Sequence, residues 1–383
     1  MNPITEPVGV ASSDQKIPSE YPKPLIAWTT VTILSLTYMF SFMDRQILVL
    51  LVEPIKADLQ ISDTQVSLLT GFAFAVIYTI SGIPMGRLAD RWVRKYVIIG
   101  GVTIWSVLTM LCGFARSFPQ LFIARMGVGF GEAALTPTAY SIVPDLFPPQ
   151  RLALGMSVFA IGGSIGAGAS LIVGGLVIGQ LADMDQISLP LIGLLQPWQM
   201  VLIVVGAASF LMVIPLALLP EPKRHGSPSV STQEQSSKLT KDDPPQEQMP
   251  FKQVLAYLWE QRSFYLPFMV GSSLTNLYAY GSNAWGASYF IRLHNWDAAD
   301  VGVTLGLLTI PFAILGGLFG GWITDLFYRR GHRSAAMRVK VIIATINIIL
   351  VPCFIYVPWM PLKLAILAVF TFLFAAFSVL SPT

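Results

Sequence analysis

The sequence predicts an all-α polytopic membrane protein, and three observations carry that reading. Of its 383 residues only 12% are Asp, Glu, Lys or Arg and 54% are hydrophobic, and the mean hydropathy is +0.64. A soluble domain carries about 25% charged residues to dress its surface, so a soluble enzyme and a disordered scaffold are both excluded. The apolar residues fall in long runs, unlike the short alternating segments of an outer-membrane barrel. A net charge of +3 gives no reason to expect a nucleic-acid partner. Cys112 and Cys353 both lie in apolar stretches, so no disulfide framework, metal site or cofactor is implied.

Residues 1–24 are polar and proline-rich. They lack the basic start and short apolar core of a cleaved signal and read as a disordered cytoplasmic tail. About twenty apolar residues cross a bilayer as a helix. On that measure spans are expected at 25–52, 65–86, 96–115, 119–143, 152–180, 197–220, 263–291, 301–324, 338–357 and 361–383. Glu221–Pro250 is rich in Ser, Gln, Pro and Lys and reads as a flexible linker. Phe251–Arg262 reads as a short amphipathic helix on the membrane surface, so residues 221–262 divide an N-terminal bundle (25–220) from a second one (263–383).

Lys and Arg favour the cytoplasmic side of short loops. With the N-terminus inside, eighteen of the 24 basic residues lie in inner segments and four (Lys56, Arg116, Arg292 and Lys363) in outer ones. The two left over are Arg45 and Arg125. The N-terminus and the central linker are therefore expected in the cytoplasm, with the chain in the plasma membrane.

The two halves align at a constant offset of 235 residues. Ser62–Val66 meets Asp297–Val301, and Gly71 meets Gly306. Gly82 and Gly86 meet Gly317 and Gly321, Asp90 meets Asp325, and Arg94–Lys95 meets Arg329–Arg330. The spacing of Gly82/Gly86 and Gly317/Gly321 is that of residues that let membrane helices approach closely. A gapless run ending in the same acid–base loop points to duplication. With six spans per half, the chain reads as truncated in the tenth helix, with two helices lacking.

The run Gly86-Arg87-Leu88-Ala89-Asp90-Arg91-Trp92-Val93-Arg94-Lys95 resembles the signature between helices two and three of the major facilitator superfamily, with Val93 where that family usually has glycine. Arg125-Met126-Gly127-Val128-Gly129-Phe130-Gly131-Glu132 resembles its fourth-helix motif. Phe42–Gln46, Glu53–Leu59, Gly131-Glu132 and Phe147–Arg151 resemble the spinster-like branch. The resemblance implies a major facilitator fold of two six-helix bundles in pseudo-two-fold symmetry, ten of whose helices are present. It also implies proton-linked movement of lysophospholipids or sphingoid phosphates by a monomer.

Asp44, Arg45, Arg125 and Glu132 are charges inside predicted spans, gathered on the first and fourth. Each would cost about 2.5–3.5 kcal/mol unpaired, so they read as a proton-coupling set or as buried ion pairs that fix packing. Arg125 and Glu132, seven residues apart, share a helical face about 10 Å long. A carboxylate beside an arginine stays charged, while one left in apolar surroundings takes up a proton. Switching Asp44 or Glu132 between the two conditions would move a proton across. Arg45 and Glu132 are also candidates for substrate binding. In span seven Asn276, Tyr280 and Asn283 share one face, near Tyr278 and Trp285. They could bind a polar head group or merely bond between helices; Tyr78 is a further candidate, or a packing residue. Asp90 with Arg94, and Asp325 with Arg329, sit at helix ends and read either as a gate latch or as a topogenic basic cluster.

Gly162-Gly163-Ser164-Ile165-Gly166 matches the nucleophile elbow of hydrolases, but that motif needs a strand–turn–helix and a histidine base. Here it lies within a glycine-rich span, and His225, His294 and His332 fall in predicted loops, so close packing is the expected role. No G-x-x-x-x-G-K-[ST] loop is present, so no ATP site is expected. The expectation is therefore a secondary transporter, not an enzyme, with no catalytic residue. It would be proton-linked and move a small amphiphile or organic anion by alternating access. The alternatives are a proton-independent facilitator or drug exporter of the same fold, and a non-transporting membrane receptor.

Overall fold

The computed structural model describes residues 21–181, 187–189, 193–224, 257–330 and 335–379. The expected N-terminal tail, most of the linker and most of the amphipathic helix lie outside these residues.

Helix α1 is Pro24–Leu50, opening on a proline whose missing N–H costs nothing in a first turn. A short helix α2, Val52–Leu59, ends on Gln60 in the left-handed region, φ 51°. The second span is three pieces in line: α3 Asp63–Ser67, a π-helical turn Leu68–Phe72 and α4 Ala73–Arg91. Its start is fixed by a reciprocal cap in which the Gln65 N–H donates to Ser62 Oγ and the Ser62 N–H donates to Gln65 Oε1. There follow α5 Arg94–Cys112, α6 Phe118–Glu132, α7 Leu135–Leu146, α8 Pro149–Leu181, α9 Pro197–Leu211 and α10 Val213–Leu218. The second half holds α11 Arg262–His294, α12 Ala298–Arg329, α13 Ala335–Tyr356 and α14 Met360–Val379.

Each of the ten expected spans is met by helix. Among the described residues, eight are long and apolar enough to cross a membrane by length and composition. The other two differ for physical reasons. The fourth is broken between α6 and α7 at Ala133–Ala134, and the seventh, α11, carries too many polar residues along its 33. Between α8 and α9 a hairpin that the sequence reading did not anticipate pairs β1 Ile187–Leu189 with β2 Gly193–Leu195, antiparallel. His294 closes α11, where a loop was expected. Lys363 lies in the first turn of α14 and is buried, where an outer loop was expected.

Of the glycines singled out by spacing, Gly82, Gly86 and Gly321 are not where the helices touch. Gly82 and Gly321 have open space beside them, and a Cβ on Gly86 would meet only Pro137 Cβ at 3.9 Å. Close approach falls elsewhere. Side chains at Gly162 and Gly166 would collide with the Ser35 and Met39 carbonyls of α1, so the G-x-S-x-G run is a packing surface between α8 and α1. Gly129 sits against the Phe74 carbonyl and Gly131 against the Trp105 nitrogen, where a Cβ would lie at 2.8 and 2.7 Å. The glycines of the fourth-helix motif thus thread α6 between α4 and α5.

The halves meet along α8 and α12. A Cβ on Gly175 would lie 2.7 Å from the Ala299 carbonyl, and one on Gly306 would lie 2.6 Å from the Gly168 carbonyl. These contacts run from Gly168 to Gly179 on α8, in the part of the molecule away from Arg94. No glycine interlock across the halves is found toward the Arg94 end among the described residues.

Candidate functional site

The site begins with the polar face of α1, where Thr37, Ser41 and Asp44 are all fully buried. Asp44 and Arg45 are neighbours in sequence, so about 100° of helical turn separates them, and they enter different surroundings. Asp44 Oδ2 accepts from Thr109 Oγ1 of α5 at 3.3 Å and from Ser209 Oγ of α9 at 3.4 Å. Its Oδ1 has no hydrogen-bond partner. Arg125 reaches only the Asp44 main chain, Nη1 donating to the carbonyl oxygen at 3.4 Å, and Arg125 Nε is also without a partner. Asp44 and Arg125 are therefore neighbours and not a closed ion pair.

Arg45 faces the other way. Its Nε donates to Glu132 Oε2 at 2.6 Å, and the same oxygen accepts from Ser41 Oγ at 2.7 Å. The guanidinium carbon lies 5.0 Å from the Phe42 ring centroid and 4.7 Å from those of Phe74 and Tyr78. Ring faces attract a cation at such distances, so the three rings and one carboxylate form a cage around a fixed positive charge. Glu132 is 0% exposed, whereas the Arg45 side chain retains 13%. Glu132 Oε1 is buried without a hydrogen-bond partner. Tyr78 is tied to Thr136, just past the break after Glu132, at 3.2 Å.

The sequence placed these four charges on two helices, and the structure sorts them into an Arg45–Glu132 pair and an Asp44–Arg125 contact. It adds Ser41, Phe42, Phe74, Thr109 and Ser209, which sequence reasoning missed. Ser41 and Phe74 each stand one turn before a residue already singled out, a spacing that could have marked them. Thr109 and Ser209 carry no such signal, since an isolated hydroxyl in an apolar span is common.

The other candidates fare differently. On α11 a cavity of about 430 Å³ is lined by Tyr278, Ser282, Asn283, Trp285 and Tyr289, with Gln46 from α1. Its lining on α11 takes in Tyr278, Ser282, Trp285 and Tyr289 and, further round the helix, Asn283, Ala287 and Phe290. Of the residues expected to bind, Asn283 is in this lining, and Tyr280 is exposed and outside it. The side chain of Asn276 lies outside the described residues.

At the other loop, Arg94 does not turn to Asp90. Burial to 1% exposure requires carboxylate and carbonyl partners around it, and these come from α7 and from the residues after α10. Arg94 pairs with Asp145, with Glu221 at 2.9 Å, and with the Ser141 and Pro222 carbonyls at 2.8 and 2.9 Å. Glu221 also accepts from the Lys95 N–H at 3.0 Å, capping the start of α5 with negative charge. Arg224 donates to the Ala89, Asp90 and Trp92 carbonyls. The exposed Asp90 thus enters this network through its main chain. The side chains of Asp325 and Arg329 lie outside the described residues.

A helical bundle with duplicated halves, buried charges on its first and fourth spans and an acid–base cluster between its second and third defines a class of membrane carrier. The family model of the Major Facilitator Superfamily matches residues 34–383, and the chain belongs to that superfamily of transporters. Within it the chain is similar to members of the spinster-like branch and to an efflux pump. It is 26% identical to protein spinster of Drosophila melanogaster over 311 residues, which is 79% of this chain and 46% of that one. It is 28% identical to an MFS-type efflux pump of Mycolicibacterium smegmatis over 331 residues, 86% of this chain and 68% of the pump. Among solved structures it resembles a bacterial homolog of the human lysosomal transporter spinster, inward-facing and unoccupied, with TM-score 0.72 and 25% identity over 94% of this chain and 75% of that one.

Proposed function

We propose that the protein is a proton-linked secondary transporter that moves a small amphiphile or organic anion by alternating access. The observation that carries this reading is the Arg45–Glu132 pair, in which a partly exposed guanidinium is held by a carboxylate with one oxygen left over. An anionic head group competing for Arg45 would release Glu132, and a buried carboxylate without its cation takes up a proton. Binding of substrate and of proton would then be linked. Asp44, beside Arg125 and two hydroxyls, is the second carboxylate in the pathway. Tyr78 holds Arg45 from its ring face. Gln46, the next residue on α1, together with Asn283 would carry the path into the second half. The similarity to a hexuronate transporter of Escherichia coli, 23% identical over 313 residues, fits the organic-anion form of this reading.

In this reading the N-terminus and the linker face the cytoplasm of a plasma-membrane protein, residues 25–220 and 263–383 are the two rocking bodies, and a monomer suffices. The Arg94–Asp145–Glu221 cluster would lock the inner ends of the first body.

The test is flux in proteoliposomes made with the natural full-length protein, using lysophospholipids and simple organic anions under an imposed pH step. Flux that follows the step and is lost in Asp44→Asn or Glu132→Gln, with folding retained, is the expected result. Flux indifferent to the pH step and to both substitutions would reduce the charges to packing.

A further inference from the structure

We propose that Arg292 is the residue that holds the two halves shut at the end away from Arg94, through an ionic clasp that opens and closes in each transport cycle. Arg292 Nε donates to Glu53 Oε1 at 2.7 Å, and Nη2 and Nη1 donate to the two Asp63 oxygens at 2.9 and 3.2 Å. Glu53 belongs to α2 and Asp63 to α3, both in the first half, whereas Arg292 ends α11 in the second. The fork of the guanidinium fits a carboxylate with two parallel bonds. Its carbon rests 5.4 Å over the Trp285 ring, and Lys56 pairs with the same Asp63 oxygen that Nη2 reaches.

Two properties make this clasp releasable. Its side chains are between a third and a half exposed: 35% for Arg292, 33% for Glu53 and 51% for Asp63. Water can therefore replace each partner at small cost. Each charge also has a second source of stabilisation. Glu53 and Asp63 stand in the first turns of α2 and α3 and Arg292 in the last turn of α11, the ends where a helix favours those signs. Opening therefore strands no charge. The Arg94 cluster is the contrast: at 1% exposure, breaking it would leave an unpaired buried cation, and its partners come from its own half and from Glu221 and Pro222 directly after it, none from the second half.

The clasp lies beyond the glycine seam of α8 and α12, where the halves touch backbone to backbone. Beside it Val49 and Leu50 of the first half pack with Ala287, Phe290, Val301 and Leu305 of the second; seam and cluster are both apolar, so the clasp adds to them a charged tie that water can release. This inference goes beyond the proposed transport chemistry and needs neither a substrate nor a proton gradient.

The experiment uses the full-length protein in nanodiscs, in a Cys112→Ala, Cys353→Ser background that removes both free thiols, with one reporter thiol at a time. Val301→Cys reports on the seam, where Val301 is 0% exposed. Tyr140→Cys reports on the Arg94 end, where Tyr140 is 46% exposed. With Arg292 intact, maleimide should label the first slowly and the second quickly. Arg292→Ala should raise labelling at Val301→Cys about fivefold, the factor that about 1 kcal/mol of pairing sets, and lower it at Tyr140→Cys. Arg292→Glu should do so more strongly. Combining Arg292→Glu with Glu53→Arg, Asp63→Arg and Lys56→Glu, which inverts the whole set including the Lys56 partner of Asp63, should restore part of the original pattern. Equal labelling in all variants would overturn the proposal. So would a rise at both reporters together, which local unfolding produces and alternation does not.

Discussion

Gln60 and Asn295 stand 235 residues apart and adopt the same left-handed backbone, with φ of 51° and 55°. Each ends a helix and reverses the chain, and two residues later a capping residue starts the next helix. The Val66 N–H donates to the Ser62 carbonyl, and the Val301 N–H to the Asp297 carbonyl, both at 3.0 Å. Left-handed geometry costs a non-glycine residue about 1–2 kcal/mol, so its presence at equivalent places is not chance. The duplication seen as aligned letters is a duplicated turn, with the same strain and the same hydrogen bond.

The buried pair of Arg45 and Glu132 should behave asymmetrically. Removing one partner leaves the other buried without its opposite charge, either a cationic Arg45 or a Glu132 that must take up a proton, which costs up to about 3–5 kcal/mol. Glu132→Gln and Arg45→Met should each lower the thermal midpoint in detergent by several degrees. The double substitution should recover most of the loss. A double variant as unstable as the sum of the two would show that the residues act independently.

Glycines on the fourth-helix motif should be intolerant where those chosen by spacing are not. Gly129→Ala and Gly131→Ala place a methyl group within 3 Å of backbone atoms on α4 and α5, and overpacking of this kind costs about 1–3 kcal/mol. Gly82→Ala enters open space and should be neutral or slightly stabilising, since alanine suits a helix better than glycine. Thermal midpoints of the three variants decide the matter; equal behaviour would contradict the packing described.

The Arg292 clasp should be indifferent to pH over the working range. The bonds from Arg292, and then Lys56, hold the Asp63 carboxyl down to about 2, from 3.8. A carboxylate lowered in this way contributes fully above its ordinary value, and the contribution is lost only as pH falls through about 2. Labelling at Val301→Cys, normalised to a free thiol at each pH, should therefore stay flat between about pH 5 and pH 8. A rise as pH falls through that window would place a proton-sensitive group in the clasp.

Much of the fold was legible because a bilayer demands long apolar runs and tolerates few charges. Span positions, the duplication and the four central charges all follow from that demand. Pairing was not legible. Arg94 was read beside Asp90, four residues away, but its burial draws Asp145 and Glu221 from distant segments. On α11 the reading named Asn283, which lines the cavity, and Tyr280, which does not: periodicity shows which residues share a face but not what that face meets. Arg292 looked like one more loop charge until Glu53 and Asp63 were seen within reach of it.

The π-helical turn at Leu68–Phe72 has no counterpart at the aligned residues 303–307, which are plain α-helix. A π turn advances the chain by fewer degrees per residue. Beyond Phe72 the second span is therefore rotated by roughly one residue, ~100°, against its aligned copy. That rotation helps set Phe74 and Tyr78 against Arg45. The two copies then agree letter by letter yet no longer side by side. A substitution carried from one half to the other by alignment will land on a neighbouring direction, and comparisons of the halves beyond this point must be made in space.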